Sequence, residues 1–161
     1  KSLKEQLTEI KMKFRKATEN DVIAIVEMIA DDELGKTREN FKTPLPEEYY
    51  RAFANINSDN NQELIVVENE VGEVVGTLQL SFIQYLTYRG GVRAQIEAVR
   101  IRKDQRGTGM GTKMFEWAIN RAKERKAHIL QLTTDKKRPL AIAFYTKLGF
   151  KDSHEGMKMH F

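Results

Sequence analysis

The stretch Arg106-Gly107-Thr108-Gly109-Met110-Gly111 decides how this chain folds. Ahead of it, Ala94–Arg102 reads as a long strand, with Glu97, Val99 and Ile101 expected on one face and Ile96, Ala98 and Arg100 on the other. Behind it, Met110, Met114, Ala118 and Ala122 recur at helical spacing beside Phe115 and Trp117, which predicts a helix to about Lys126. Strand, glycine turn and helix together make an anion cradle. Glycines let backbone N–H groups approach a phosphate, and the helix start adds about half a positive charge. Two common cradles are excluded. A P-loop would need glycine at Arg106 and lysine at Thr112, and a dinucleotide fingerprint begun at Gly107 would need its last glycine at Thr112. What stands is Arg-x-x-Gly-x-Gly.

Outward from this junction the chain alternates strands and helices. Met12–Thr18 has strand alternation, and Thr18-Glu19-Asn20-Asp21 has capping-box spacing ahead of a helix carrying Val22, Ile25, Val26 and Ile29. Pro44 and Pro46 interrupt the chain before a shorter helix over Glu47–Ile56, and Ser58-Asp59-Asn60-Asn61 is turn chemistry. Glu63–Glu70 and Glu73–Ile83 read as strands joined at Gly72, followed by a loop over Gln84–Gly91. His128–Thr134 reads as a strand, and Pro139 opens a helix, Leu140–Leu148, that Gly149 ends. Phe150–His154 and Met157–Phe161 complete the pattern as a hairpin about Gly156. The order predicts an α/β (α+β) sandwich with a mixed sheet, in a single domain over residues 12–161. Residues 1–11 read as a leader or remnant ahead of Met12.

Composition narrows the chemistry. A chain of 161 residues, 40% hydrophobic and 31% charged, fits one soluble domain with a modest core. With no cysteine, a disulfide framework, an iron–sulfur cluster and a thiol nucleophile are excluded. No apolar run approaches the roughly 18 residues of a membrane span, and Lys1–Lys11 does not read as a signal peptide, so the expected home is the cytoplasm. Residues 1–99 carry 12 basic and 17 acidic side chains, whereas residues 100–161 carry 15 basic and 6 acidic. That basic half implies an anionic partner, whether nucleic acid, a membrane surface or a phosphate-rich cosubstrate. His128, His154 and His160 lack the spacing of a helical metal pair, and no metal is expected.

At this point the sequence resembles the GNAT superfamily of acetyl-CoA-dependent N-acetyltransferases. The signature of that family at this strand–helix junction is Gln/Arg-x-x-Gly-x-Gly/Ala. The preceding Ile96-Glu97-Ala98-Val99-Arg100-Ile101 is similar to the family's fourth strand. Ala141-Ile142-Ala143-Phe144-Tyr145-Thr146-Lys147-Leu148-Gly149-Phe150 is similar to its Ala-x-x-Phe/Leu-Tyr-x-x-x-Gly-Phe signature, and Met12–Ile29 opens the chain in the family's manner. The resemblance covers Met12 to Phe161. One departure stands out: where many members carry a cofactor-contacting Asn, this chain has Arg138. The run Leu132–Arg138 and the ending Ser153-His154 also look like small bacterial amine acetyltransferases, aminoalkylphosphonate enzymes among them.

The resemblance implies a mostly antiparallel central sheet of six to seven strands flanked by about four helices. It implies acetyl transfer from acetyl-CoA to a primary amine, taken here as that of a small molecule, by direct attack in a ternary complex. Tyr145 would be the general acid at the leaving thiolate, and Glu97 the general base, made more basic by burial beside Val99 and Ile101. Without the resemblance, periodicity alone favours Tyr145 as a core aromatic, and Glu97 reads equally as an acid paired with Arg93 or Arg100. Backbone groups of Val99, Arg100 and Ile101 would meet the pantetheine arm. Arg106, Gly107, Thr108, Gly109, Met110, Gly111 and Thr112 would hold the diphosphate, and Arg138 would meet a cofactor phosphate or an acidic substrate. Lys136 and Lys137 read as a solvated face. Acceptor choice would fall to Leu34–Tyr50 and Gln84–Arg93, with Tyr49, Tyr85, Tyr88 and Arg89 as candidates.

Rival readings remain open in the residues. A nucleic-acid module would use the basic half, but no aromatics interleave it as a stacking platform requires, so neither nucleic acid nor membrane is expected as partner. A GNAT fold could instead sense acyl-CoA without turnover, or acetylate protein lysines or N-termini. An exposed sheet edge would also permit a homodimer.

Overall fold

The computed structural model describes residues 11–161, so the expectation for residues 1–11 lies almost wholly outside the described residues. Five strands form one sheet in chain order: β1 (Lys13–Lys16), β2 (Gln62–Glu68), β3 (Val74–Gln84), β4 (Val92–Ile101) and β5 (Ile129–Gln131). The first four pair antiparallel, and β4 with β5 is parallel. Six helices accompany them: α1 (Val22–Ala30), α2 (Gly35–Arg38), α3 (Glu47–Ser58), α4 (Thr87–Gly90), α5 (Met110–Glu124) and α6 (Pro139–Lys147).

Period-two alternation sorts the sheet into two packed faces. Ile65, Val67, Leu78, Leu80, Ala94 and Ile96 meet Met110, Met114, Phe115, Ala118 and Ala122 of α5. The opposite face packs Val66 and Leu64 against Val22, Ile25 and Val26 of α1 and Phe53 of α3. Phe14 of β1 stacks on Trp117 of α5, with rings 5.1 Å apart. The capping pattern at Thr18 is realised: its N–H donates to Asp21 Oδ2 at 2.7 Å, while Arg15 grips both Asp21 oxygens at 2.7 and 3.0 Å. Asn69 closes the turn near Gly72, its Oδ1 accepting from the amides of Val71 and Glu73.

Three expectations are corrected. Among the described residues there are five strands and six helices, where six to seven strands and about four helices were expected. His128–Thr134 is a strand only over Ile129–Gln131, and neither Phe150–His154 nor Met157–Phe161 forms one. So short an edge gives a terminal hairpin little to pair with, and an isolated hairpin is marginal in water. Accordingly Phe150 stays on the core against Phe115, while Met157, Met159 and Phe161 are exposed. The added helices are the single turns α2 and α4, and in α4 both Tyr88 and Arg89 take left-handed backbone angles.

The third correction concerns β4. Two residues, Ala98 and Val99, stand opposite the single Leu78 of β3, so β4 bulges, and Ala98 takes φ 51°. The bulge reverses the expected faces. Val99 and Ile101 join Ile96 on the α5 side, whereas Glu97 and Arg100 share the side of α1. No described helix is long and apolar enough to cross a membrane.

Candidate active site

β4 and β5 pair only at Arg93–Gln95 with Ile129–Gln131, so the second half of β4 has no strand on its β5 side. Its carbonyls are met by side chains instead: Val99 O accepts from Arg100 Nη1 at 2.9 Å, and Ile101 O from Arg106 Nε at 3.1 Å. This edge, free of a strand partner on its β5 side, is followed by a 3-10 turn over Lys103–Gln105 and then by the glycine turn. Gly109 caps α5 with φ 83°, a conformation that a side chain would strain, and Gly107 takes φ 77°. A Cβ at either position would meet nothing within 4 Å, so the turn is an open cradle. The amides of Met110, Gly111 and Thr112 open the helix without intrahelical acceptors, and the Thr108 hydroxyl is turned inward to Gln105 O at 2.7 Å. Such a cradle fits a diphosphate, and the bared strand edge beside it fits an amide-bearing arm.

Tyr145 lies half-buried on α6, its ring 5.4 Å from Phe115 and 6.1 Å from Phe150. A Cβ on Gly111 would touch both Ile101 Cδ1 and Phe144 Cζ at about 3.5 Å, so the end of β4, the start of α5 and α6 converge here. Among the described residues the Tyr145 hydroxyl has no hydrogen-bond partner, which leaves it free to donate to a ligand.

Glu97 is placed differently from expectation. It is exposed, not buried beside Val99 and Ile101, and it pairs with neither Arg93 nor Arg100. Gln131 Nε2 donates to Gln95 Oε1 at 2.7 Å, and Gln95 Nε2 to Glu97 Oε1 at 2.6 Å, so a relay of amides holds the carboxylate on the α1 face. Arg138 sits exposed at the start of α6, with its N–H on Asp135 O. Lys136 reaches Glu155 at the surface, as a solvated face would.

The acceptor candidates separate. The Tyr49 hydroxyl donates to Glu39 Oε2 at 3.0 Å and accepts from the Asn40 amide, tying the segment after α2 to α3. Burial pushes the Tyr49 phenol up, and the Glu39 carboxylate adds to the rise. Tyr85 and Tyr88 instead close on His128, where β4 and β5 begin, at the other end of β4 from the glycine turn. Sequence reasoning missed Asp31 and Asp32. Asp32 Oδ2 takes Arg100 Nη2 at 3.1 Å, and Asp31 Oδ2 takes Arg106 Nη2 at 3.2 Å. Both acids follow the C-terminus of α1, whose dipole also favours cations. An acidic pair ending a helix was the only signal, and it does not name partners about 70 residues away. No cluster of metal-ligating side chains occurs among the described residues.

Comparison with known proteins agrees with this geometry. The sequence model of the Acetyltransferase (GNAT) family matches residues 26–150. An aminoalkylphosphonate N-acetyltransferase of Salmonella typhimurium is 30% identical over 110 residues, 65% of this chain and 70% of that protein. An L-methionine sulfoximine/L-methionine sulfone acetyltransferase of Pseudomonas paraeruginosa is 26% identical over 129 residues, 78% of this chain and 72% of that protein. A crystal structure from Bacillus halodurans, described as a transcriptional regulator, superposes with a TM-score of 0.89 at 54% identity, covering 94% of this chain and all of that one. Fold, glycine turn and family match agree: the chain belongs to the GNAT family of acetyltransferases and is an acyltransferase.

Proposed function

We propose that this enzyme moves the acetyl group of acetyl-CoA to the primary amine of a small molecule, by direct attack in a ternary complex. The observation that carries the reading is the β4 edge without a strand partner on its β5 side, followed within a few residues by the open glycine cradle, with α6 and its Tyr145 packed against the same end of the sheet. The amides of residues 107–112 hold the diphosphate of the cosubstrate, with Arg106 on the turn. Val99, Arg100 and Ile101 offer their main chain to the pantetheine arm. The Salmonella relative, named for aminoalkylphosphonates, and the Pseudomonas relative, named for methionine sulfoximine, support a small acceptor.

An alkylamine has a pKa of about 10.4 and arrives protonated. Glu97, exposed on the α1 face, takes that proton directly or through water. The nitrogen lone pair then forms the bond to the acetyl carbon as the carbon–sulfur bond breaks. Tyr145 gives its phenolic proton to the departing thiolate, and the second proton, shed by the acylated nitrogen, returns to Tyr145 through solvent. The products are the acetamide and free CoA, and the protons balance.

Free-thiol release from acetyl-CoA across a panel of small amines tests the reading. Tyr145→Phe is expected to lower kcat by about 100-fold with little change in the KM for acetyl-CoA. Equal turnover would remove Tyr145 as the acid. The description of the Bacillus halodurans structure as a transcriptional regulator favours one second reading, an acyl-CoA sensor without turnover. For that reading the wild-type protein would bind acetyl-CoA and release no thiol with any amine.

A further inference from the structure

Helix α1 ends in two acids, and each holds an arginine that also covers the main chain of β4. Asp31, which closes α1, takes Arg106 Nη2 at 3.2 Å, and Asp32 takes Arg100 Nη2 at 3.1 Å. Arg106 Nε donates to Ile101 O at 3.1 Å, and Arg100 Nη1 to Val99 O at 2.9 Å. The carbonyls that would meet the pantetheine arm are therefore capped by side chains that the end of α1 fastens.

The two pairs differ in how easily they part. Asp32 and Arg100 are each 18% exposed, whereas Asp31 is 43% and Arg106 46% exposed. An ion pair as open as the second shifts an equilibrium by up to about five-fold, and a competing anion replaces either partner. Arg106 opens the Arg-x-x-Gly-x-Gly turn, so a diphosphate in the cradle meets the guanidinium that Asp31 holds. The planar guanidinium suits a phosphate at least as well as a carboxylate.

Asp31 is also tied to the acceptor side. Lys36 N–H donates to Asp32 O at 3.0 Å, and a Cβ on Gly35 would run into the Ile29 carbonyl, so α2 packs directly on the end of α1. Glu39 N–H donates to Gly35 O at 2.8 Å, and Glu39 Oε2 accepts from the Tyr49 hydroxyl of α3.

We propose that Asp31 and the cosubstrate diphosphate compete for Arg106, so that binding of the cosubstrate unfastens the α1–α2 segment from the glycine turn. Asp31 is thus a positioning residue that opposes cosubstrate binding, and the more buried Asp32–Arg100 pair is the point about which the segment stays anchored. The inference rests on the acetyltransfer reading and adds a coupling between the glycine turn and the segment expected to choose the acceptor. Such coupling is reciprocal: whatever loosens the segment tightens the cosubstrate.

Calorimetry with CoA tests this. Asp31→Asn is expected to tighten CoA by about two- to five-fold, while Asp31→Glu, which keeps the charge, binds as the wild type does. Asp104→Asn removes an equal charge beside the same turn, but from Arg102, which Asp104 holds at 2.7 and 2.8 Å, and should leave CoA affinity unchanged. In the wild type, CoA should speed hydrogen exchange at the Lys36 and Glu39 amides, which exchange at the faster rate already in Asp31→Asn. A CoA affinity unshifted or weakened in Asp31→Asn, equal tightening in Asp104→Asn, or amides that CoA slows or leaves alone would overturn the proposal. Those outcomes with normal wild-type binding sink this inference alone. A wild-type protein that binds no CoA sinks the transfer reading, and this inference with it.

Discussion

Two carboxylates each pair with arginine, one on either side of the sheet, and they are finished to different degrees. Glu63 on the α5 face is 2% exposed and takes Arg121 through both oxygens at 2.9 and 2.7 Å, with Arg125 at 2.5 Å. The spare donors find partners too: Arg121 reaches Glu124, Arg125 reaches Asn60 O, and the Arg125 guanidinium lies 4.0 Å from the Phe82 ring centre. Asp32 on the α1 face has a single bond to Arg100, with Nε of that arginine unpaired. A cluster that closes on itself is structure. One that leaves a buried donor without a partner is only partly closed.

The largest expected effect lies in the closed cluster. Glu63→Gln strips the countercharge from two part-buried arginines and is expected to cost about 3 kcal/mol, read as a fall in Tm with KM values for both substrates unchanged. Acid should act through the same group. Burial alone would push the Glu63 carboxyl up, but hydrogen bonds from Arg121 and Arg125 win and hold it below its usual range. Asp21 is likewise held down by its bonds from Arg15, against burial. Folded-state pKa values below the unfolded ones mean that this stability is complete above about pH 4–5 and is lost as pH falls through the depressed values. Denaturant titrations from pH 6 to 2 should show the loss, with a shallower slope in Glu63→Gln. A parallel slope in that variant would assign acid sensitivity elsewhere. The smallest effect belongs to the open cluster. Asp32→Asn weakens one charged hydrogen bond in a largely buried pair and should cost about 1–2 kcal/mol, less than Glu63→Gln because Glu63 holds three such bonds. A stability loss matching that of Glu63→Gln would mean the two clusters do the same work.

The glycine turn and the Phe144–Phe150 signature were legible because the chemistry demands particular residues at fixed spacing. Gly109 must adopt a left-handed angle, and the apolar steps from Met110 to Ala122 must face the sheet. The bulge was not legible. Ala98 carries no mark that it takes φ 51°, and a single extra residue moved Glu97 and Arg100 onto one face. Alternation also misread the end of the chain, where Met157, Met159 and Phe161 repeat like a strand but have only the three residues of β5 as an edge to join. The Asp32–Arg100 contact spans 68 residues, and tertiary pairing of that kind leaves no local pattern.

The most direct measurement is a crystal structure with acetyl-CoA bound. The diphosphate should lie within about 3 Å of amides between Gly107 and Thr112, with the pantetheine along the β4 edge and the sulfur in hydrogen-bond reach of the Tyr145 hydroxyl. A diphosphate seated elsewhere with the glycine turn untouched, or a sulfur directed away from Tyr145, would contradict the account.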